Sequence, residues 1–384
     1  MPDPVYLDHA ATTPVRGEVL EAMQPFFGSR FGNPSSMHKW GREARTALDE
    51  AHERVAACIG ASADEVIFTS CGTEADNLAI LGVFRARRAQ DRGVVVTTPI
   101  EHKAVLAAAH QAAKEGGSER LLAMQDNGLV DDSSFDALVR DDVAICSVMW
   151  INNEIGVIQD VPALAARAKQ RGVVFHTDAV QAFGKVDVNA RTTPFDLLSL
   201  SGHKIGAPKG IGALYVRRGT PIEPLMFGGS QDRGRRPGTE NVAMAVGLAR
   251  AAELAVTERE HEWAKLVALR ERLESALLER IPDAVIHGRG APRAPHIISI
   301  SVPGTDSESM LMALDLRGIG CSAGSACQSG VPSSHVLTAL GVGPDLAASA
   351  IRMSLGAMNS DACVARVIEV FPMLVDKARR LSTA

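Results

Sequence analysis

Among 384 residues no apolar stretch approaches the ~20 needed to cross a bilayer. The opening Met1-Pro2-Asp3-Pro4, followed by Val5-Tyr6-Leu7-Asp8, lacks the basic start and apolar middle of a secretory signal. Positive charge is not in surplus either. With 40 Lys and Arg against 45 Asp and Glu the net charge is −5, so no long-range field draws the chain to nucleic acid or to an anionic membrane. Cysteine is sparse, six in all with no even framework of close spacings, which argues against a disulfide scaffold and for reduced thiols. Cys321 and Cys327 have no second pair of metal ligands, so zinc is not expected. Gly206 to Gly212 does not fit the Walker A spacing, and no Rossmann fingerprint opens a βαβ unit, so nucleotide binding is unsupported. These absences leave a cytoplasmic protein whose default partner is a small molecule.

The hydrophobic content, 46%, is enough for a large core, and the length suggests two domains. From about Glu65 to Val216, β-rich runs (Val66–Thr69, Val94–Thr97, Ala144–Met149, Val173–Asp178, Leu197–Ser201) alternate with helix-like stretches at Glu74–Arg88, Lys103–Lys114 and Val161–Gln170. That alternation predicts an α/β fold, a mainly parallel sheet covered by helices. A long charged amphipathic stretch near Val256–Ile281 then precedes a reset of the pattern at Ile297–Ile300, Ser307–Leu316 and Gly320–Ala323. The reset is read as a second, smaller domain: 15–255 form the large domain and 256–384 the small one, which 1–14 joins because Ala10–Pro14 reads as a crossing loop and, in part, because a family resemblance implies it.

Ligands of parallel sheets bind at the carboxyl ends of the strands, and chemistry-bearing residues recur there. Lys204 follows the apolar run Phe195–Leu200, and Asp178 closes the run that starts at Val173. A lysine able to form a Schiff base with an aldehyde, plus a carboxylate to keep a pyridine nitrogen protonated, is the minimal equipment for pyridoxal phosphate. The bland reading of Lys204 is a solvated loop lysine; against it, an amine beside an apolar strand has the lowered pKa that such chemistry needs. Gly72 and Thr73, between a strand and a helix start, suit a phosphate on backbone N–H groups, although in isolation a Thr73 cap closed by Asp76 is the preferred explanation. The basic loop Gln231–Glu240 offers a second anion site or a solvated surface. His102 could stack on a flat ring or cap a helix, and Asn153 and Gln181 are ordinary loop amides unless the strand ends converge. Arg352 lies in an apolar run and needs a partner, either a substrate carboxylate or an internal salt bridge. Cys327 sits in a small-residue stretch suited to an accessible nucleophilic thiol; Cys58, Cys71, Cys146, Cys321 and Cys363 read as buried packing residues.

Together these motifs resemble those of the cysteine desulfurases, fold type I pyridoxal-phosphate enzymes of the class V aminotransferase group. The resemblance spans nearly the whole chain, through Tyr6–Pro14, Gly32–Ser36, Ser201–Lys204 and Gly324–Cys327. It implies a large domain with a mainly parallel seven-stranded sheet, a smaller α+β domain and a homodimer. It also implies that Lys204 is the Schiff-base lysine, Asp178 the partner of the pyridine nitrogen and His102 the residue stacked on the ring. Asn153 and Gln181 would contact the ring and its oxygen. Gly72, Thr73, Ser201 and His203 would hold the phosphate, with Thr239 reaching across the dimer interface. Arg352, helped by Asn33 and Asn153, would bind the substrate carboxylate. Cys327 would carry a persulfide as L-cysteine becomes L-alanine, and the sulfur would pass to an acceptor protein, an iron–sulfur scaffold or a tRNA thiolase. Selenocysteine lyase or cysteine sulfinate desulfinase is the neighbouring alternative, in which Cys327 matters less. Relative to the long-loop members the stretch from Cys327 to His335 is short, and the chain ends without the tail that docks a scaffold protein, so the acceptor is left open.

Overall fold

The computed structural model describes residues 3–323 and 334–382. Cys327 lies outside the described residues. The chain opens with a short strand, β1 (Val5–Tyr6), and crosses to helices α1 (Gly17–Met23) and α2 (Lys39–Cys58). Then β2 (Val66–Thr69), α3 (Gly72–Arg88), β3 (Val94–Thr97), α4 (Lys103–Lys114), β4 (Ser118–Leu121), α5 (Asp132–Leu138), β5 (Val143–Ser147), α6 (Val161–Gln170), β6 (Val174–Asp178), β7 (Leu197–Ser201) and β8 (Gly212–Val216) build one sheet and its covering helices. The strand order is β2-β8-β7-β6-β5-β3-β4, and only β8 runs against its neighbours. The seven-stranded, mainly parallel α/β sheet expected above is therefore present.

The strands read as continuous apolar runs because both faces are covered. Val95, Ile145, Val174 and Leu197 pack with Leu78, Phe84 and Val105 of α3 and α4. The alternate positions Val94, Val96, Phe175 and Leu198 pack with Leu48, Leu164 and Leu248 of α2, α6 and α7 (Val242–Thr257) on the other face.

The charged amphipathic stretch expected near Val256–Ile281 is a separate helix, α8 (Arg259–Arg280), set off from α7 at Glu258. Beyond it come β9 (Val285–Ile286), β10 (Ile297–Ser301), α9 (Ser307–Asp315), β11 (Ile319–Gly320), α10 (His335–Ala339), α11 (Pro344–Ala348), β12 (Ile351–Ser354) and α12 (Asp361–Ser382). β12, β10 and β9 form an antiparallel sheet, while β11 pairs in parallel with β1. Leu266, Ile298, Ile300, Met353 and Phe371 share a further core with Val5 and Leu7. The N-terminal segment thus packs with the C-terminal elements, and Ser354 Oγ accepts the Ala10 N–H at 2.9 Å.

Candidate active site

The segments that follow β2, β3, β5, β6 and β7 converge on one cavity of about 420 Å³. Gly72, Thr73, His102, Asn153, Asp178, Gln181, Ser201, His203, Lys204 and Arg352 all line it. Asn33 and Thr239 do not: both are exposed, and Asn33 Oδ1 accepts the Ser35 N–H in a turn. The structure also brings in Asp8, Cys71, Asp76, Glu154 and His335, which the sequence reading had not assigned to the site.

Lys204 sits in the one-turn helix after β7, and its Nζ donates to the carbonyl oxygens of Ala10 (2.6 Å) and Ala11 (2.8 Å). Burial and, after it, the Arg352 guanidinium lower its pKa to about 8 against the opposing pull of Asp178 and Asp8. An appreciable fraction is therefore neutral amine near neutrality. Asp178, at the end of β6, accepts the Val180 N–H at 2.8 Å. Burial raises its pKa against the pull of His102, Val180 and Lys204, so this carboxylate is best satisfied by a cationic N–H. Below it a polar chain runs through the sheet: Ser147 Oγ and His176 Nδ1 lie 2.8 Å apart, and His176 Nε2 and Ser199 Oγ 2.9 Å. Asp76 ends that chain; burial, then the Asp178 charge, pushes its pKa well above the ordinary carboxyl range.

The capping alternative for Thr73 is overturned. α3 begins at Gly72, Cys71 occupies the cap position, and no side chain caps the helix. Glu74 instead reaches back to the Ser70 N–H (2.7 Å) and pairs with Arg236 (3.0 Å). An uncapped helix N-terminus facing a cavity is an anion site. A Cβ at Gly72 would stand 2.9 Å from Val180 Cγ2, so only glycine lets the helix start approach this closely. Burial lowers the His203 pKa to about 4, and the neutral ring meets Thr12 Oγ1 at 3.1 Å.

His102 both lines the cavity and caps α4, accepting the Ala104 N–H at Nδ1 (3.1 Å), so Nε2 is the nitrogen left for other chemistry. Gln181 is more committed than expected, because its Nε2 donates to Ala10 O and its Oε1 faces His296 Nε2. Asn153 Oδ1 is buried and has no partner among the described residues. Arg352 realises the internal salt bridge, to Asp8 at 2.9 Å, and donates to Asn153 O at 2.9 Å, yet its Nε remains without a partner. Of the cysteines read as buried, only Cys146 is fully so; Cys71 lines the cavity because it occupies the turn before α3.

A desolvated lysine facing a strand-end carboxylate and an uncapped helix terminus defines an enzyme site for a flat, phosphorylated aldehyde cofactor. The model of the family described as aminotransferase class-V matches residues 5–367, and the chain belongs to that family. Within it the chain is 44% identical over 379 residues to the cysteine desulfurase IscS of Dictyoglomus turgidum, covering 98% of this chain and 96% of that one. It is 43% identical over 380 residues to the cysteine desulfurase NifS of Azotobacter vinelandii, with 98% and 94% covered. A solved NifS-like protein superposes with a TM-score of 0.91 at 35% identity, over 97% of this chain and 100% of that one. Pyridoxal 5'-phosphate is the cofactor of this family, and the residues fit it. The uncapped α3 terminus suits its phosphate, Asp178 its ring nitrogen, Asn153 with its unpartnered oxygen the ring's polar edge, and Lys204 its aldehyde.

Proposed function

We propose that this chain is a pyridoxal-phosphate-dependent cysteine desulfurase that converts L-cysteine to L-alanine and carries the sulfur as a persulfide on Cys327. The observation that carries this reading is the meeting of Lys204, Asp178, Arg352 and the uncapped helix end in one cavity. Bound there, the cofactor supplies an aldehyde for the lysine amine and a ring that takes up the electron pair left when a proton leaves the substrate. Lys204 takes and returns the Cα proton, a role suited to an amine titrating near 8. Arg352 orients the substrate carboxylate, with Asn153 beside it. His102 manages the proton of the thiol through Nε2. Attack of the Cys327 thiolate on the substrate sulfur forms the S–S bond as the Cβ–S bond breaks; Cβ is protonated and alanine leaves. The persulfide then passes to an acceptor thiol of a partner protein serving iron–sulfur cluster assembly or tRNA thiolation.

A homodimer accompanies this reading. Phe27, Phe31, Met37, Trp40 and Phe227 are exposed on the described chain, a load of large apolar side chains suited to a second copy. Thr239, exposed and outside its own chain's cavity, would then reach the partner's phosphate site. The unpaired cysteines fit a reducing, cytoplasmic setting. The separate core built by Leu266, Ile298 and Phe371 supports residues 1–14 and 256–384 as a small domain beside a large one of 15–255.

The test is product formation from L-cysteine. Wild type should yield alanine and protein persulfide, whereas Cys327→Ala should yield neither at comparable rate. A yellow, folded wild type that yields neither rules out cysteine as the substrate.

A further inference from the structure

A second cavity, of about 350 Å³, lies across the N-terminal segment from the first. Ala10 and Ala11 line the active site; His9, Thr13 and Pro14 line the second cavity. Val180, Gln181 and Lys204 line both.

Its walls are largely apolar, with Val15, Phe183, Ala255 and Leu355 among them, but its polar groups are unusually uncommitted. His9 and His296 are 6% and 3% exposed, and His9 Nε2 and His296 Nδ1 have no hydrogen-bond partner among the described residues. The tautomer of His296 follows from its neighbours. Gln181 Nε2 donates to Ala10 O, so Gln181 Oε1 must accept from His296 Nε2 (3.3 Å), which leaves a lone pair on His296 Nδ1. Lys185, half-buried on the same wall, makes no hydrogen bond or close ion pair among the described residues; the Glu262 carboxylate, which also lines the cavity, favours its charge only from a distance. Of the other cations there, Arg16 is saturated by Glu18 and Glu258, and Lys204 donates to Ala10 O and Ala11 O. Buried polar groups are normally paired, and an unpaired ammonium is the most expensive kind to leave alone. Burial first, and then the Lys185 charge, lowers the pKa of both His9 and His296 below the usual range, so the three share one field.

We propose that this cavity is a second ligand site for a small carboxylate bearing an adjacent hydroxyl or amino group. The carboxylate meets Lys185, the substituent donates to the His296 Nδ1 lone pair, and the carbon skeleton lies against the apolar wall. A cavity of this size, in which Lys185 is the cation without a hydrogen-bonded partner among the described residues, suits a compact organic acid rather than a nucleotide.

The experiment is a ligand-observed NMR titration of the cofactor-loaded protein with L-lactate. Because Arg352 at the active site also attracts carboxylates, the reference is Arg352→Gln. That variant should still bind lactate, and adding Lys185→Gln should weaken binding by at least about tenfold, the scale of one lost charge-assisted hydrogen bond. Lys185→Arg in the same background should restore it. The proposal is overturned if Arg352→Gln no longer binds lactate, or if the double variant binds as tightly as the single one. Should Lys185→Gln fail to fold, Ala357→Phe at the exposed rim decides instead: it fills the mouth while leaving Lys185 in place, and unchanged binding overturns the site.

Discussion

The Arg352 guanidinium and the Asp8 carboxylate meet at 2.9 Å on the wall of the active-site cavity, joining β12 to the segment that follows β1. Asp8 occupies one edge of the guanidinium and Asn153 O a second, while Nε stays unpartnered. The pair therefore presents a fixed, partly unsatisfied fork to the cavity. Arg352→Lys, which keeps the charge but loses the fork, should raise KM for L-cysteine by roughly 10- to 100-fold with a smaller effect on kcat. Steady-state kinetics at constant cofactor occupancy check this, and an unchanged KM would remove Arg352 as the carboxylate anchor.

Gly72→Ala places a methyl 2.9 Å from Val180 Cγ2 and 3.4 Å from Ser201 Cβ, forcing the start of α3 back. The expected outcome is a folded protein whose affinity for pyridoxal phosphate falls by roughly tenfold, the scale of one weakened anion contact. Pyridoxal, which lacks the phosphate, should be bound nearly equally by both proteins in an absorbance titration. Equal loss for both ligands would show that the α3 terminus does not hold the phosphate.

In the cofactor-free protein Lys204 titrates near 8 against an ordinary 10.5. Below about pH 8 folded and unfolded chains are both protonated, and the fold bears the full cost of the desolvated ammonium. Between about 8 and 10.5 the folded state gives up its proton first, so stability rises with pH, by up to about 3 kcal/mol. Lys204→Met should abolish that rise in urea unfolding measured at successive pH values. A parallel rise in the variant would assign it to another group.

Glu101 has the opposite sign. Burial raises its pKa to about 8, although the Met149 N–H and Thr98 hydroxyl oppose the shift, and its Oε2 has no partner. From about pH 4.5 to 8 the unfolded chain loses this proton while the folded one keeps it, so stability falls as pH rises. Glu101→Gln retains the acceptor oxygen and never ionises. It should be more stable than wild type at about pH 7 by on the order of 1–3 kcal/mol and equal to it at about pH 4. A lower unfolding midpoint at both values would count against a neutral Glu101.

The interior of the main sheet was legible because strands covered on both faces must be apolar throughout, as Val94–Thr97 and Leu197–Ser201 are. The edge strand β4 escaped notice because its residues, Ser118, Glu119, Arg120 and Leu121, are exposed or only half-buried and carry no apolar run. The reversed direction of β8 was equally hidden, since an apolar run has no polarity of its own. Lys204, Asp178 and Gly72 could be singled out because each ends a strand or opens a helix. Asp8, Glu154 and His335 could not, since they approach from the N-terminal segment, the loop after β5 and the start of α10.

By itself the amino-acid sequence determined the alternation of strand and helix, the parallel sheet and the positions of its carboxyl ends, because hydrophobic periodicity is a local property of the chain. Only the tertiary structure decided which of those ends share a cavity, that Lys204 and Asp178 are both stripped of water, and that Cys71 leaves α3 uncapped. Desolvation and charge pairing depend on groups far apart in sequence, such as Asp8 and Arg352 or Gln181 and His296, and no local pattern encodes their distance.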